Sequence, residues 1–211
     1  AYGADGRYFL DLTKIDDYDA LIERKALAVV DSAEIESAFR QIVVSELGLK
    51  DQKSQVAGAN IYADTASWPS RRSYRPGLFA IGRSSTGPAV RQGDYTLVIA
   101  GPQAGKGWAG AQDEIVLTVD FADALVASLT RARAAELLAQ DRVHTKVMEK
   151  LAREAATQFR EDYLARLLAS GRASYRGHQV ALASLPARRP LSVLADVVDH
   201  VKGALLDDAF A

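Results

Sequence analysis

The chain of 211 residues contains no cysteine. That absence excludes disulfides, thiolate zinc sites and a cysteine nucleophile. It leaves the compartment open, with the cytoplasm or a virion favoured over the periplasm. No apolar run approaches the roughly 18 residues that a membrane-crossing helix needs, so no transmembrane helix is expected. Residues 1–7 lack the pattern of a signal peptide, which leaves open whether Ala1 is a native or a processed start. Charge of one sign is also missing. The net charge is -1 with 25% charged residues. Such a balance argues against a surface built wholly for nucleic acid or anionic membrane.

Glycine and proline are absent from one long stretch and crowded into another. Residues 111–170 hold neither, whereas residues 58–110 hold nine of the fifteen glycines and four of the six prolines. Both residue types interrupt regular elements, so a loop- and strand-rich middle should feed a long helical segment. Charge is sorted as well. Residues 1–66 carry 12 acids against 7 bases, and residues 67–113 carry 6 bases against 2 acids. Such a split suits head-to-tail association or a charged partner. It equally suits two segments that meet inside one fold.

Local patterns place the elements. Tyr8, Leu10 and Leu12 alternate as in a short strand. Asp16 and Asp17 can cap a helix through Ala28, although 26–30 also reads as a strand. Asp31 with Glu34 forms a capping box for a helix bearing Ile35, Ala38, Phe39 and Ile42, stopped by Gly48. Short strands are expected at 61–63 and 78–81, with turns at Pro69 and at Pro76-Gly77. The apolar runs 95–100 and 114–119 flank a glycine-rich segment and read as an antiparallel hairpin with a long tip. Helix should run from Phe121, capped by Asp120, to Ser170, with a break near Gln140, and Gly171 should end it. A last amphipathic helix spans 192–206.

The long helix carries Val143, Val147, Leu151, Ala155, Phe159, Tyr163 and Leu167, each four apart. At 3.6 residues per turn such a row drifts by about 40° per step. One flat neighbour cannot cover it. The helix must be central, or bend, or pack on its own domain at one end and on another subunit at the other.

Chemical motifs are sparse. The stretch Ala100-Gly101-Pro102-Gln103-Ala104-Gly105-Lys106-Gly107 follows a strand and ends in Gly-Lys, as a phosphate-binding loop does. Gly107 stands where that loop needs a hydroxyl, and strand rather than helix follows, so a flexible tip is the better reading. His144, His178 and His200 show no ligand spacing, although Asp196 and His200 share a helix face. Asp94, Glu114 and Asp120 flank the expected hairpin as nuclease acids would, but Val116 occupies the position where such a site wants a lysine. No cofactor or metal is expected, and the balance lies against an enzyme.

One segment has a composition suited to contact. Trp68, Arg71, Arg72, Tyr74, Arg75, Arg83 and Arg91 combine arginine forks with aromatic faces, and Lys106 and Trp108 lie in the glycine-rich tip. Arginine, tryptophan and tyrosine dominate protein interfaces, and the same residues can grip phosphate and stack on bases.

The expectation is therefore a single α+β domain over 1–211: an antiparallel sheet with a long helical C-terminal half packed on it. Its parts are a loop- and strand-rich 50–119, a helical 121–170, and a C-terminal strand and helix at 174–206. The role expected is a structural or assembly subunit of a homo-oligomeric or multi-protein particle, such as a phage tail or neck component. Its partners would be itself or other protein subunits. The alternatives are a nucleic-acid-binding or nucleic-acid-processing protein using 71–91, and a small-molecule enzyme whose site is assembled from distant residues.

Overall fold

A computed structural model describes residues 17–28, 32–56, 58–68, 72–83, 93–104, 110–111, 113–140, 145–186 and 190–210. Two helices lead, α1 (Tyr18–Ala28) and α2 (Ser32–Glu46), and five strands follow. These are β1 (Ser54–Val56), β2 (Ala59–Trp68), β3 (Ser73–Arg83), β4 (Tyr95–Ala100) and β5 (Glu114–Thr118). Helices α3 (Asp123–Gln140) and α4 (Thr145–Ser170) come next, then β6 (Arg172–Tyr175), β7 (His178–Ala181) and α5 (Leu194–Phe210). The strand expected at residues 8–12 lies outside the described residues.

The seven described strands form one sheet in chain order. The expected antiparallel sheet is corrected by its centre: β3 pairs with β4, and β4 with β5, in parallel, while the other pairs are antiparallel. Leu97 lies opposite Ile115 and Ile99 opposite Leu117. The glycine-rich segment between these strands is therefore a crossover that returns to the starting edge, not a hairpin tip. Parallel neighbours need about a dozen connecting residues, and residues 101–113 supply that length. The helical part is not confined to the C-terminal half either, since α1 and α2 precede every described strand.

Strand alternation builds two apolar faces. Tyr62, Phe79, Ile81, Tyr95, Leu97, Ile99, Ile115 and Leu117 share the main core with α2, α3, α4 and α5. Ala59, Ile61, Leu78, Ala80, Val98 and Val116 form a buried cluster on the opposite face. With both faces buried, β4 is apolar or small throughout, as central parallel strands are.

Local signals held at several ends. At the end of α2, Leu49 N–H bonds Val44 C=O and Gly48 N–H bonds Ser45 C=O, with Gly48 at φ +61°. That is a Schellman stop, and a side chain there would strain the backbone. The turn between β6 and β7 places both Arg176 and Gly177 at positive φ, as a two-residue type I′ turn requires. Pro76 and Gly77 correct the expected turn, because both lie within β3. Pro76 pairs with Thr65 of β2 just before β4 joins β3, so its missing N–H faces no second strand. A Cβ on Gly77 would collide with the ring of Tyr95.

Helix α3 ends at Gln140 and α4 starts at Thr145, and residues 141–144 lie outside the described set. The fourfold row on α4 is shared between two clusters. Phe159, Tyr163 and Leu167 enter the main core, where Phe39, Phe121 and Tyr163 meet with ring centroids 5.5–5.9 Å apart. Leu151 and Ala155 pack instead against the smaller cluster of Ile22, Ala134, Ala135 and Met148, which joins α1, α3 and α4. The drift of the row thus serves two neighbours in succession.

Candidate functional site

The contact residues expected from sequence fall mainly on β2 and β3. Strand β2 pairs with β1 only at Ala59–Ile61, and β3 meets β4 only from Gly77 onward. Between those limits, Thr65 to Trp68 and Ser73 to Pro76 pair with each other alone among the described residues. Four residue pairs make a two-stranded ribbon about 13 Å long at ~3.3 Å per residue. Two-stranded ribbons are marginal unless one face is packed. Here the inner face supplies that packing: Ala66 is buried in the main core, and Arg75 is held by Asp94 at 3.0 Å.

The root of the ribbon is fixed by a buried polar cluster. Tyr95 Oη donates to Asp64 Oδ2 at 2.6 Å. Lys202 Nζ, from α5, donates to both Asp64 oxygens at 3.1 and 3.3 Å and pairs with Asp199 at 3.1 Å. It also lies 5.2 Å from the centre of the Phe79 ring. Lys202 is only 6% exposed. Burial, and then the adjacent carboxylate of Asp64, hold the Tyr95 hydroxyl far above its usual range, so it keeps its proton and donates it to Asp64.

The outer face of the ribbon is solvated. Thr65, Ser67, Tyr74 and Pro76 are exposed there, as is Arg72 in the turn, and Tyr74 reaches 75%. Arg72 sits at φ 51° and makes no ion pair among the described residues. Of the remaining expected residues, Trp68 ends β2 and Arg83 ends β3, with side chains outside the described set. Arg71, Arg91, Lys106 and Trp108 lie wholly outside it. Arg83 is nine residues along β3 from Tyr74. At ~3.3 Å per residue that is about 30 Å, so the structure does not bring these two together.

A second feature lies where β4 and β5 end. Pro102, Ala104, Thr118, Val119, Asp120, Phe121, Arg166, Ser170, Arg172 and Gln179 line a cleft of about 560 Å³. Nearby, Glu36 of α2 is buried, with Oε1 accepting the Gln103 N–H at 2.9 Å and Oε2 unpartnered. Burial pushes its carboxyl above the ordinary value of 4.5, against the smaller pull of the Gln103 N–H and the Arg40 charge. Gly101 makes room for that carboxyl, since a Cβ there would strike Glu36 Oε2. Glu36 did carry a signal in sequence: it lies three residues before Phe39 and seven before Val43, on the buried stripe of α2.

The acids weighed as nuclease ligands are split between the two ends of the parallel strands. Asp94 and Glu114 lie at the starts of β4 and β5, and Asp120 lies past the end of β5. Glu114 Oε2 accepts the Ala111 N–H at 2.9 Å. Among the described residues no three His, Asp or Glu side chains gather as metal ligands, and no helix is long and apolar enough to cross a membrane.

A family model described as DUF6079 third domain matches residues 20–211. The chain belongs to that family. The match takes in every described element except the first residues of α1, so the mixed sheet and its flanking helices all fall within it. No curated protein and no solved structure matches the chain.

Proposed function

We propose that this DUF6079 third domain is an assembly module that associates with further copies of itself through the outer face of the β2–β3 ribbon. The observation that carries the reading is Tyr74, a large aromatic left 75% exposed on a ribbon whose opposite face is anchored by Asp64, Tyr95 and Lys202. A rigid root with an exposed aromatic and an arginine beside it has the makeup of an interface hot spot. The family description as a third domain also suits a unit that works joined to others. Other large apolar side chains exposed among the described residues lie on other elements: Leu27 on α1, Val147 on α4, and Val193 just before α5.

The charge split does not support the reading. Asp19 and Glu34 pair with Arg131 and Arg133 of α3, and Asp64 pairs with Lys202, so three acids of the N-terminal segment are answered within the fold. The ribbon therefore carries the proposal alone.

Sedimentation velocity over a wide concentration range tests it. The chain is expected to self-associate, and the Tyr74→Asp/Arg72→Glu variant to remain a monomer with an unchanged circular dichroism spectrum. A wild-type chain that stays monomeric at high concentration refutes the reading. So does association that persists in the variant. Binding of an oligonucleotide through the same residues, with a steep salt slope, would replace it with nucleic-acid binding.

A further inference from the structure

The cleft at the ends of β4 and β5 has a composition that the ribbon does not explain. Because β4 and β5 are parallel, the segments leaving both, Gly101–Ala104 and Val119–Phe121, emerge on one edge of the sheet. In open sheets with parallel strands, ligands gather outside such carboxyl ends. The volume of about 560 Å³ falls within the range of small-molecule sites.

Two arginines from different elements converge there. Arg166 comes from the last turns of α4, and its guanidinium has no hydrogen-bond or ion-pair partner among the described residues. Arg172 begins β6 opposite Thr118. Its Nη1 donates to Gln179 Oε1 at 3.3 Å. A guanidinium carries five N–H donors, so one such bond leaves others to offer. Among the described residues that line the cleft, Asp120 is the one acid against two arginines. Thr118 and Ser170 contribute hydroxyls, and Pro102, Val119 and Phe121 give an apolar wall. Pro102 and Ala104 belong to the glycine-rich stretch that follows a strand as a phosphate loop does. That stretch lacks the hydroxyl and the following helix of such a loop, so the anion donors of the cleft are the arginines.

We propose that this cleft binds a phosphorylated small molecule. The guanidinium forks of Arg166 and Arg172 grip its phosphate, and Val119 and Phe121 receive its apolar body. Planar guanidinium groups match phosphate oxygens two at a time, which an ammonium group does not.

Isothermal titration calorimetry on the full chain with adenosine diphosphate, pyrophosphate and citrate tests the proposal. Both phosphate compounds are expected to bind with dissociation constants below about 1 mM, citrate more weakly, and the nucleoside diphosphate more tightly than pyrophosphate. Arg166→Ala and Arg172→Ala should each weaken phosphate binding roughly tenfold or more, and the lysine variants should recover only part of it. Arg166 is exposed and makes no side-chain bond among the described residues, so its variant keeps the fold even if Arg172→Ala does not. Absence of binding by both phosphate compounds overturns the proposal, as does citrate binding as tightly as pyrophosphate. Unchanged affinity in Arg166→Ala overturns it too. A nucleoside diphosphate that binds no tighter than pyrophosphate removes the role of the apolar wall. An oligonucleotide that binds where neither phosphate compound does assigns the cleft to nucleic acid and overturns the small-molecule reading.

Discussion

Lys202→Met removes the cation that faces Asp64 and leaves the side-chain length nearly intact. The ammonium is enclosed by Asp64, Asp199 and the Phe79 ring, and only 8% of the side chain is exposed. Removing one partner of a buried pair costs about 3–5 kcal/mol, because the other charge stays buried. Asp64 keeps its bond from the Tyr95 hydroxyl at 2.6 Å. That remaining donor places the cost near ~3 kcal/mol, the low end of the range. The exposed Asp199 contact adds little, as solvent screens it. For a chain of this size the loss corresponds to a fall in Tm of roughly 6–12 °C. Asp64→Asn alone should also destabilise, since it leaves Lys202 buried beside a neutral amide. The double variant removes both charges and should lose less than the sum of the singles by about 1–3 kcal/mol. Urea unfolding followed by circular dichroism measures all four corners of the cycle. The coupling should survive raised salt, because buried pairs are weakly screened. Additive losses within about 0.5 kcal/mol would refute the claim that Lys202 and Asp64 form one buried unit that fixes the ribbon to α5.

Other substitutions probe other links. Gly77→Ala should destabilise by about 1–3 kcal/mol, as overpacking does, and denaturant midpoints will show it. The new methyl meets the ring of Tyr95, which is buried and has no room to turn aside. The carboxyl of Glu36 binds its proton more tightly in the folded state than in the unfolded chain, so its contribution to stability is full below pH 4.5 and declines as pH rises through the raised folded value. Glu36→Gln should remove that decline, and unfolding curves across this window that stay parallel for both proteins would contradict the assignment. Tyr74→Asp should leave stability within about 0.5 kcal/mol of the parent, as exposed substitutions do. The ring is exposed, so a larger loss in urea midpoints, measured where the parent is a monomer, would mean that Tyr74 packs on its own domain.

Residues near one another in the chain determined much of the local structure. Gly48 stopped α2 through its own backbone, Gly171 follows the last residue of α4 where a Cβ would strike the Leu167 carbonyl, and the stretch without glycine or proline became β5, α3 and α4. Such signals were legible because helix ends depend on bonds spanning three to five residues. The apolar strands β4 and β5 were legible too, as short runs. Their direction was not, since a connection of that length suits a long hairpin tip or a parallel crossover alike, and only pairing with β3 and β6 decides between them. The polar sites belong wholly to tertiary structure. Asp64 meets Tyr95 across 31 residues and Lys202 across 138, and no spacing in the chain announces a contact made only when α5 closes on the sheet. Arg166 and Arg172 read as ordinary surface charges until the ends of two parallel strands open a cleft between them.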